Sequence, residues 1–229
     1  MGVYASIDLG GTKIAGALAT EDGQVLAQRI IATESHAGPP AVLARIARLI
    51  EDLAAEVGAR PLALGMGVPG LADLEQGVVK FLPNLPTQWR EVPAGAYLAQ
   101  KLSCGVRLLN DVRMATLGEL VFGYGGSGAG PMQGAMVFYA LGTGIGGGLA
   151  IDGRLYLGPF GASAEVGHMT VVPDGPACSC GSRGCLEIYA AGPAITGQGV
   201  RLLLAGQTTC LYDLVEGRPE RVNPAVMAR

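Results

Sequence analysis

The sequence predicts an α/β protein with two lobes that face each other across a cleft. Two observations carry this prediction. A unit of strand, glycine turn, strand, hairpin turn and strand occurs twice, about 130 residues apart, and helical and strand patterns alternate between the two copies. Because a glycine turn can aim backbone N–H groups at a phosphate group, the repeated unit predicts one phosphate-binding turn in each lobe.

The first copy occupies residues 3–31. Residues 3–9 form an apolar run that predicts a buried strand, residues 14–19 and 24–31 predict two more, and Glu21-Asp22-Gly23 predicts a hairpin turn. The turn after the first strand contains Gly10, Gly11 and Thr12, with Lys13 as a nearby cation. Such turns are also common in hairpins for purely geometric reasons, so this segment alone leaves both interpretations open.

The second copy occupies residues 135–157. Residues 135–141, 146–151 and 154–157 predict its strands, and Gly142, Thr143 and Gly144 form its glycine turn. Gly142-x-Gly144-x-x-Gly147 also satisfies the dinucleotide-binding fingerprint, but that fingerprint requires a helix after the turn. Here a strand pattern follows, which excludes a nicotinamide site.

Helical and strand patterns alternate between the copies. Residues 40–57, 92–102 and 114–122 are predicted helices, and residues 62–68 and 106–109 are predicted strands. Ligands gather at the carboxyl ends of strands in an open α/β sheet. Four polar or glycine-rich pairs follow predicted strands and therefore mark a candidate ligand site: Gly10-Gly11, Pro69-Gly70, Asn110-Asp111 and Gly142-Thr143.

Asp111 is the candidate general base. A carboxylate at a strand end could take a proton from a substrate hydroxyl group, or it could cap the helix predicted to begin near Met114. Asn84 lies in the turn-rich segment Pro83-Asn84-Leu85-Pro86, where a plain turn residue is an equally good interpretation.

A metal site is predicted between Glu165 and Glu187. His168 and a Cys-x-Cys-x4-Cys segment form a Cys3His set, which is typical of structural zinc. Gly181 and Gly184 would let the chain turn sharply enough to bring the thiolates together. A disulfide with one odd thiol, or three buried cysteines, are the alternatives. A metal would also fix the directions of the two glutamates and of the imidazole ring. The three cysteines are Cys178, Cys180 and Cys185.

Composition excludes several functional classes. The chain has 229 residues, a net charge of -3 and no basic run, so nucleic acid is not an expected partner. It has no apolar stretch of membrane-spanning length and no export signal, which predicts a cytoplasmic protein. Cys104 and Cys210 stand alone and are expected to be ordinary thiols in a reducing compartment.

Six segments together resemble the ROK family (repressors, open reading frames, kinases), and within it the bacterial ATP-dependent glucokinases. The resemblance runs from residue 3 to about residue 192. The segments are Asp8-Leu-Gly-Gly-Thr-Lys13, Pro83-Asn-Leu-Pro86, Leu109-Asn-Asp111, Leu141-Gly-Thr-Gly-Ile-Gly-Gly147, Glu165-Val-Gly-His168 and the cysteine segment from Cys178 to Glu187.

The resemblance implies an actin-like ATPase or hexokinase-type fold with two ribonuclease-H-like lobes, residues 1–123 and 124–229. It implies transfer of the ATP γ-phosphoryl group to a hexose 6-hydroxyl group with Mg2+, and Asp111 as the base. Asp8 and the two glycine turns would handle metal and phosphates. The residues implied to bind sugar hydroxyl groups are Asn84, Asn110, Asp111, Glu165, His168 and Glu187.

The last 38 residues depart from the family pattern. They contain helical stretches near residues 200–205 and 211–216 but no apolar strand run, and the family's C-terminal glycine-rich turn for adenosine has no counterpart. The second lobe is therefore expected to be incomplete and ATP-dependent turnover to be weak or absent. The alternatives are a fragment, a hexose-binding regulatory protein, and a kinase that uses N-acetylmannosamine, fructose or polyphosphate. The strand at residue 3 argues against the family's DNA-binding repressors, and family members are commonly dimers or tetramers.

Overall fold

The computed structural model describes residues 2–82, 85–86, 89–124, 132–159 and 161–229. Two compact units divide the chain: unit 1 comprises Met1–Met136 and Leu149–Ser163, and unit 2 comprises Val137–Gly148 and Ala164–Arg229. Asn84 lies outside the described residues.

Strands and helices are numbered in chain order. The strands are β1 (Val3–Leu9), β2 (Lys13–Thr20), β3 (Val25–Ala32), β4 (Ala63–Val68), β5 (Leu71–Asp73), β6 (Val78–Phe81), β7 (Arg90–Val92), β8 (Gly105–Asn110), β9 (Ala135–Leu141), β10 (Ile145–Ile151) and β11 (Arg154–Tyr156). The helices are α1 (Gly38–Val57), α2 (Ala94–Leu102), α3 (Asp111–Val121), α4 (Leu186–Ala190), α5 (Gly192–Leu204), α6 (Leu211–Leu214) and α7 (Pro224–Met227). Short 3-10 turns lie at Ser35–Ala37, Val166–His168 and Pro219–Arg221.

Unit 1 contains a five-stranded sheet in the order β3-β2-β1-β4-β8. The first three strands form an antiparallel meander, and β1, β4 and β8 are parallel neighbours. The carboxyl ends of β1, β4 and β8 therefore meet at one edge of the sheet, as the sequence predicts.

Helix α1 covers one face of this sheet. Its buried apolar side chains recur with helical spacing, and the helix contacts β2 and β3. They belong to the same core cluster as alternate residues of β1 and β2, among them Ile7 and Ile14. Full burial of such a side chain contributes about 1.5–3 kcal/mol. This core fixes β1 and β2, and with them the turn that joins the two strands.

A second sheet of unit 1, β5-β6-β7, was not predicted. Its strands have only three or four residues each, which is too short for an alternating pattern to stand out from turn sequence. Trp89 precedes the last of these strands and is buried in the same core as α1.

Helix α3 begins three residues earlier than predicted. Asn110 is its N-cap, and the Asn110 Oδ1 accepts a hydrogen bond from the backbone N–H of Arg113 at 3.3 Å. The interpretation of Asp111 as the cap is therefore wrong, because Asp111 is already the first helical residue.

The second copy of the repeated strand and glycine-turn pattern forms the three-stranded sheet β11-β10-β9. As predicted, a strand and not a helix follows the glycine turn at 142–144. The C-terminal helices of unit 2 pack around a small cluster of Leu211, Val215 and Val222. Among the helices that the described residues form, none combines the length and apolar character that a bilayer crossing requires.

Candidate functional site

The first glycine turn is stabilised by a hydrogen bond within the turn and by two hydrogen bonds from Thr33. The backbone N–H of Gly10 donates to the Lys13 carbonyl oxygen at 2.9 Å, and a Cβ atom at position 10 would lie only 2.9 Å from that oxygen. Thr33 is fully buried; its hydroxyl group donates to the Gly10 carbonyl oxygen at 2.7 Å and its backbone N–H to the Thr12 carbonyl oxygen at 3.0 Å. Thr33 carries no motif and lies 21 residues beyond the turn that it stabilises, so its role could not be predicted from the sequence.

This turn leaves backbone donors for a ligand. Among the described residues, none accepts a hydrogen bond from the N–H groups of Gly11 or Thr12. The side chains of Thr12 and Lys13 are exposed. Two adjacent N–H groups with a hydroxyl group and a cation nearby can bind a phosphate oxygen.

Two carboxylates lie at the same sheet edge as this turn. Asp8 is near the carboxyl end of β1, and Asp111 directly follows β8. Burial raises the pKa of Asp8. Burial also raises the pKa of Asp111, and the negative charge of Asp8 raises it further, whereas a hydrogen bond from Val112 and the charge of Arg113 oppose the shift.

The side chains at the start of α3 are fixed by backbone contacts. Asp111 Oδ1 accepts the backbone N–H of Val112 at 2.8 Å, and the Asn110 Nδ2 lies 3.5 Å from the Val68 carbonyl oxygen and 3.4 Å from that of Gly70. These contacts hold the Asp111 carboxylate at the edge where β1, β4 and β8 end. A partly buried carboxylate with a raised pKa in a fixed orientation can accept a proton.

The second glycine turn lies in unit 2 and is also closed by a backbone hydrogen bond within the turn. The backbone N–H of Gly142 donates to the Gly144 carbonyl oxygen at 2.9 Å. The N–H of Ile145 donates to the Glu187 Oε2 at 2.8 Å, and the N–H of Gly192 donates to the Gly142 carbonyl oxygen at 2.8 Å. This turn is therefore held by two residues that follow the last cysteine of the cluster, Glu187 and Gly192.

The four predicted metal ligands come together in unit 2. The ligand atoms of His168, Cys178, Cys180 and Cys185 all lie within 4.8 Å of one another. The Cys178 Sγ is 3.7 Å from the His168 Nδ1, and the Cys180 Sγ is 3.7 Å from the Cys185 Sγ. Tetrahedral zinc, with bonds of about 2.3 Å to sulfur and about 2.0–2.1 Å to nitrogen, separates neighbouring ligand atoms by about 3.5–3.8 Å. The donor set and its spacing fit one zinc ion.

Two glycines allow the sharp backbone turns between the cysteines of this cluster. Gly181 and Gly184 have φ values of 92° and 62°, a conformation that favours glycine, as the sequence predicts. A Cβ atom at position 184 would lie 1.6 Å from the Val172 carbonyl oxygen. Short antiparallel bridges join residue 170 to 185 and residue 177 to 183. These contacts hold the backbone on which the three thiols lie.

The thiols of the cluster have unequal proton affinities. A backbone hydrogen bond at Cys180 lowers the pKa of Cys178 to about 7, whereas burial raises the pKa of Cys185 to about 11. Zinc binds thiolates, so its binding would release protons from the cluster. Since the His168 Nδ1 faces Cys178, the Nε2 is the ring nitrogen left for another ligand.

The two glutamates that flank the metal ligands in the sequence differ in their surroundings. Glu165 is exposed and precedes the 3-10 turn that carries His168. Glu187 is half-buried on α4, which packs against that same turn. Unit 1 thus brings together Asp8, Asn110, Asp111 and the first glycine turn, and unit 2 brings together Glu187, the second glycine turn and the four metal ligands.

Comparisons with known proteins agree on one family. The model of the ROK family matches residues 4–205. The chain is 39% identical over 221 residues to a glucokinase of Thermotoga maritima. The aligned region covers 95% of this chain and 66% of that protein. It is 32% identical over 197 residues to the xylose repressor of Bacillus subtilis, which covers 85% of this chain and 49% of that protein.

A solved structure supports the same relationship. A ROK family glucokinase from Streptomyces griseus, in complex with glucose and AMPPNP, matches with a TM-score of 0.79 at 32% identity and covers 98% of this chain and 69% of that chain. The fold is therefore of the actin-like ATPase or hexokinase type. The chain spans about half to two thirds of the length of the curated relatives named above.

Proposed function

Because the chain belongs to the ROK family, we propose that it is a sugar kinase that transfers the γ-phosphoryl group of ATP to the 6-hydroxyl group of glucose. The observation that carries the proposal is the position of Asp111, a partly buried carboxylate with a raised pKa at the strand edge that also holds the first glycine turn. Phosphoryl transfer depends mainly on positioning and charge stabilisation, with a carboxylate that orients the acceptor hydroxyl group.

In the proposed reaction, Asp111 takes the proton of the sugar 6-hydroxyl group. The hydroxyl oxygen forms its bond to the γ-phosphorus while the bond from that phosphorus to the bridging oxygen of ADP breaks. The hydrogen bond from the Val112 N–H fixes one oxygen of the Asp111 carboxylate, so that the other oxygen can face the substrate.

The remaining residues are proposed to bind the two substrates. A sugar presents several hydroxyl groups, and a site that matches each with an amide, carboxylate or imidazole group penalises sugars that leave one unmatched. The residues proposed to bind hydroxyl groups are Asn84, Asn110, Asp111, Glu165, His168 and Glu187. The residues proposed for nucleotide and metal are Asp8, Gly10, Gly11, Thr12, Lys13, Gly142, Thr143 and Gly144. Mg2+, when bound, would neutralise phosphate charge.

The proposal is tested by a radiometric transfer assay that can follow slow turnover. Wild-type protein, Asp111→Asn and Asp52→Asn are compared with labelled ATP, Mg2+ and glucose. Asp52 is the matched control, since it pairs with Arg48 on the surface of α1. Loss of a general base typically reduces the rate about 10²- to 10⁴-fold. An Asp111→Asn variant that transfers phosphate at the wild-type rate would contradict the assignment.

A second candidate is sugar binding without phosphoryl transfer. The observation that favours it is the 32% identity to a repressor over most of this chain. Glucose binding with no labelled sugar phosphate, under conditions where a control glucokinase is active, would support it. Parallel assays with N-acetylmannosamine, fructose and polyphosphate distinguish the other substrates.

The same proposal includes the compartment and assembly. All five cysteines are free, and thiols that bind zinc persist in a reducing compartment such as the cytoplasm. The proposed partners are the hexose and ATP, with no nucleic acid and no membrane. Dimer formation, which resemblance to the family suggests, is measured by analytical ultracentrifugation.

A further inference from the structure

The side chain of Glu187 ends at the second glycine turn. Its Oε2 accepts the backbone N–H of Ile145 at 2.8 Å, and Ile145 is buried directly after Gly144. The sugar assignment above gives Glu187 one role. The contact with Ile145 gives the same carboxylate a second partner inside the protein.

Gly144 makes room for this carboxylate. A Cβ atom at position 144 would lie 2.4 Å from the Glu187 Oε2 and 3.2 Å from its Cδ, whereas a Cβ atom at Gly142 would meet no atom of the described residues within 4 Å. Gly144 does not have a positive φ value. The need for glycine at this position therefore comes from the close approach of Glu187 and not from backbone conformation.

Glu187 is also close in sequence to the metal cluster. Cys185 is the N-cap of α4, and Glu187 lies in the first turn of that helix. The backbone N–H of Leu186 donates to the Met169 carbonyl oxygen at 2.9 Å, next to His168. The last cysteine of the cluster thus fixes the start of the helix that presents Glu187.

A second contact joins the same helices to the turn. The N–H of Ala191 donates to the Glu187 carbonyl oxygen at 3.0 Å, and the N–H of Gly192 donates to the Gly142 carbonyl oxygen at 2.8 Å. A Cβ atom at position 192 would lie 2.9 Å from that oxygen. Both ends of the turn are therefore bonded to the segment that follows Cys185.

We infer that Glu187 is a positioning residue that couples the metal cluster to the second glycine turn, through the hydrogen bond from Ile145 to its Oε2. Loss of the metal loosens the start of α4, which releases the Glu187 carboxylate and then the turn. Only the role of the turn in phosphate binding rests on the proposed function. The coupling itself is a property of unit 2.

The test is amide hydrogen exchange resolved at Ile145 in the zinc-loaded 229-residue chain. Glu187→Ala and Gly144→Ala each remove the contact, the first by deleting the carboxylate and the second by displacing it. We expect each variant to speed exchange at Ile145 roughly 10- to 100-fold, the loss typical of a hydrogen bond to a charged group. Chelation of zinc from the wild-type chain is expected to do the same.

Two variants serve as controls. Gly142→Ala adds the same methyl group at a position where it would meet none of the described residues within 4 Å. Glu165→Ala removes a proposed sugar ligand that precedes the metal ligands in the sequence. Both are expected to keep wild-type exchange at Ile145. Zinc content is measured for each variant, and Gly144→Ala is decisive if Glu187→Ala loses zinc.

The outcomes separate the coupling from the kinase assignment. Unchanged Ile145 exchange in Gly144→Ala, or in the zinc-depleted wild type, would overturn the inference. Faster exchange in a chain that binds neither glucose nor Mg-ATP would uphold the coupling while the proposed function fails.

Discussion

Asp8 and Asp111 stand at the carboxyl ends of two parallel strands that have a single strand, β4, between them. Burial raises the pKa of both carboxyl groups, and the charge of Asp8 raises that of Asp111 further. The protein therefore holds two like charges at one sheet edge, although both would be better solvated in the unfolded chain. Such an arrangement favours function over stability.

Asp8→Asn is expected to increase the free energy of unfolding at pH 7. The folded pKa of Asp8 lies above its ordinary value of 3.8, so folding favours the protonated form and the ionised carboxylate destabilises the fold at neutral pH. The gain should be full at pH 7, should decline as the pH falls through the raised pKa, and should vanish below about 3.8. Urea unfolding at several pH values measures it.

The control for this prediction is Asp52→Asn. Asp52 is on the surface and pairs with Arg48, so its replacement should be neutral or slightly destabilising at pH 7. An Asp8→Asn variant less stable than wild type at pH 7 would show that the Asp8 carboxylate makes a stabilising contact that outweighs the cost of burying its charge.

Glucose affinity is expected to fall in acid because of Asp111. The ionised carboxylate accepts a stronger hydrogen bond from the 6-hydroxyl group than the protonated carboxyl group does. Since the pKa of Asp111 is raised above 3.8, the dissociation constant should increase as the pH falls through that raised value. Calorimetric titrations from pH 7 down to the lowest pH at which the chain stays folded measure the change. Asp111→Asn should bind glucose with a weaker pH dependence, and an equal dependence would assign the titration to another group.

Cys185→Ser is expected to remove the metal. The residue is fully buried and its sulfur lies 3.7 Å from that of Cys180. Its replacement leaves only three of the four metal ligands. Bound zinc should drop from about one per chain to a small fraction, and the thermal midpoint should fall, because metal binding contributes to folding. Metal analysis and thermal unfolding measure both.

Cys210→Ser is the matched control for that variant. Cys210 is exposed and is not a member of the cluster. It should retain zinc and unfold at the wild-type temperature. Full zinc occupancy in Cys185→Ser would rule out the Cys3His assignment.

Trp89→Ala is expected to destabilise unit 1 by about 3–5 kcal/mol, the usual cost of deleting a large core side chain. Trp89 is 1% exposed, and no hydrogen bond partner for its buried Nε1 exists among the described residues. Trp89→Phe keeps most of the apolar volume and removes that polar group, so it should cost much less. Denaturant unfolding compares the two variants, and equal losses would mean that the indole N–H has a stabilising partner.

The sequence predicted the parts of the fold that have a local signal. The apolar alternation of residues 3–31 located β1, β2 and β3 to within one or two residues, and the spacing of His168 and the three cysteines located the metal cluster. In both cases neighbouring residues in the chain carry the whole pattern. The start of α3 was missed because Asn110 and Asp111 are both good caps, and only the contact with Arg113 distinguishes them.

Contacts between distant residues could not be predicted in the same way. Thr33 has no motif, yet its hydroxyl group fixes the first turn. Glu187 lies 42 residues from Ile145, and only the folded chain shows that the two meet. The assignment of Asn84 to the sugar site stays a prediction.

The most direct test of the account is a calorimetric titration of the zinc-loaded chain with glucose and, separately, with Mg-ATP. The proposed sugar site predicts saturable binding of about one glucose per chain, with heat that is lost in Glu165→Ala and retained in the surface control Asp52→Asn. Mg-ATP binding in addition would support the kinase assignment, and glucose binding alone would support the sugar-binding protein. A folded, zinc-loaded chain that binds no glucose would contradict the central claim.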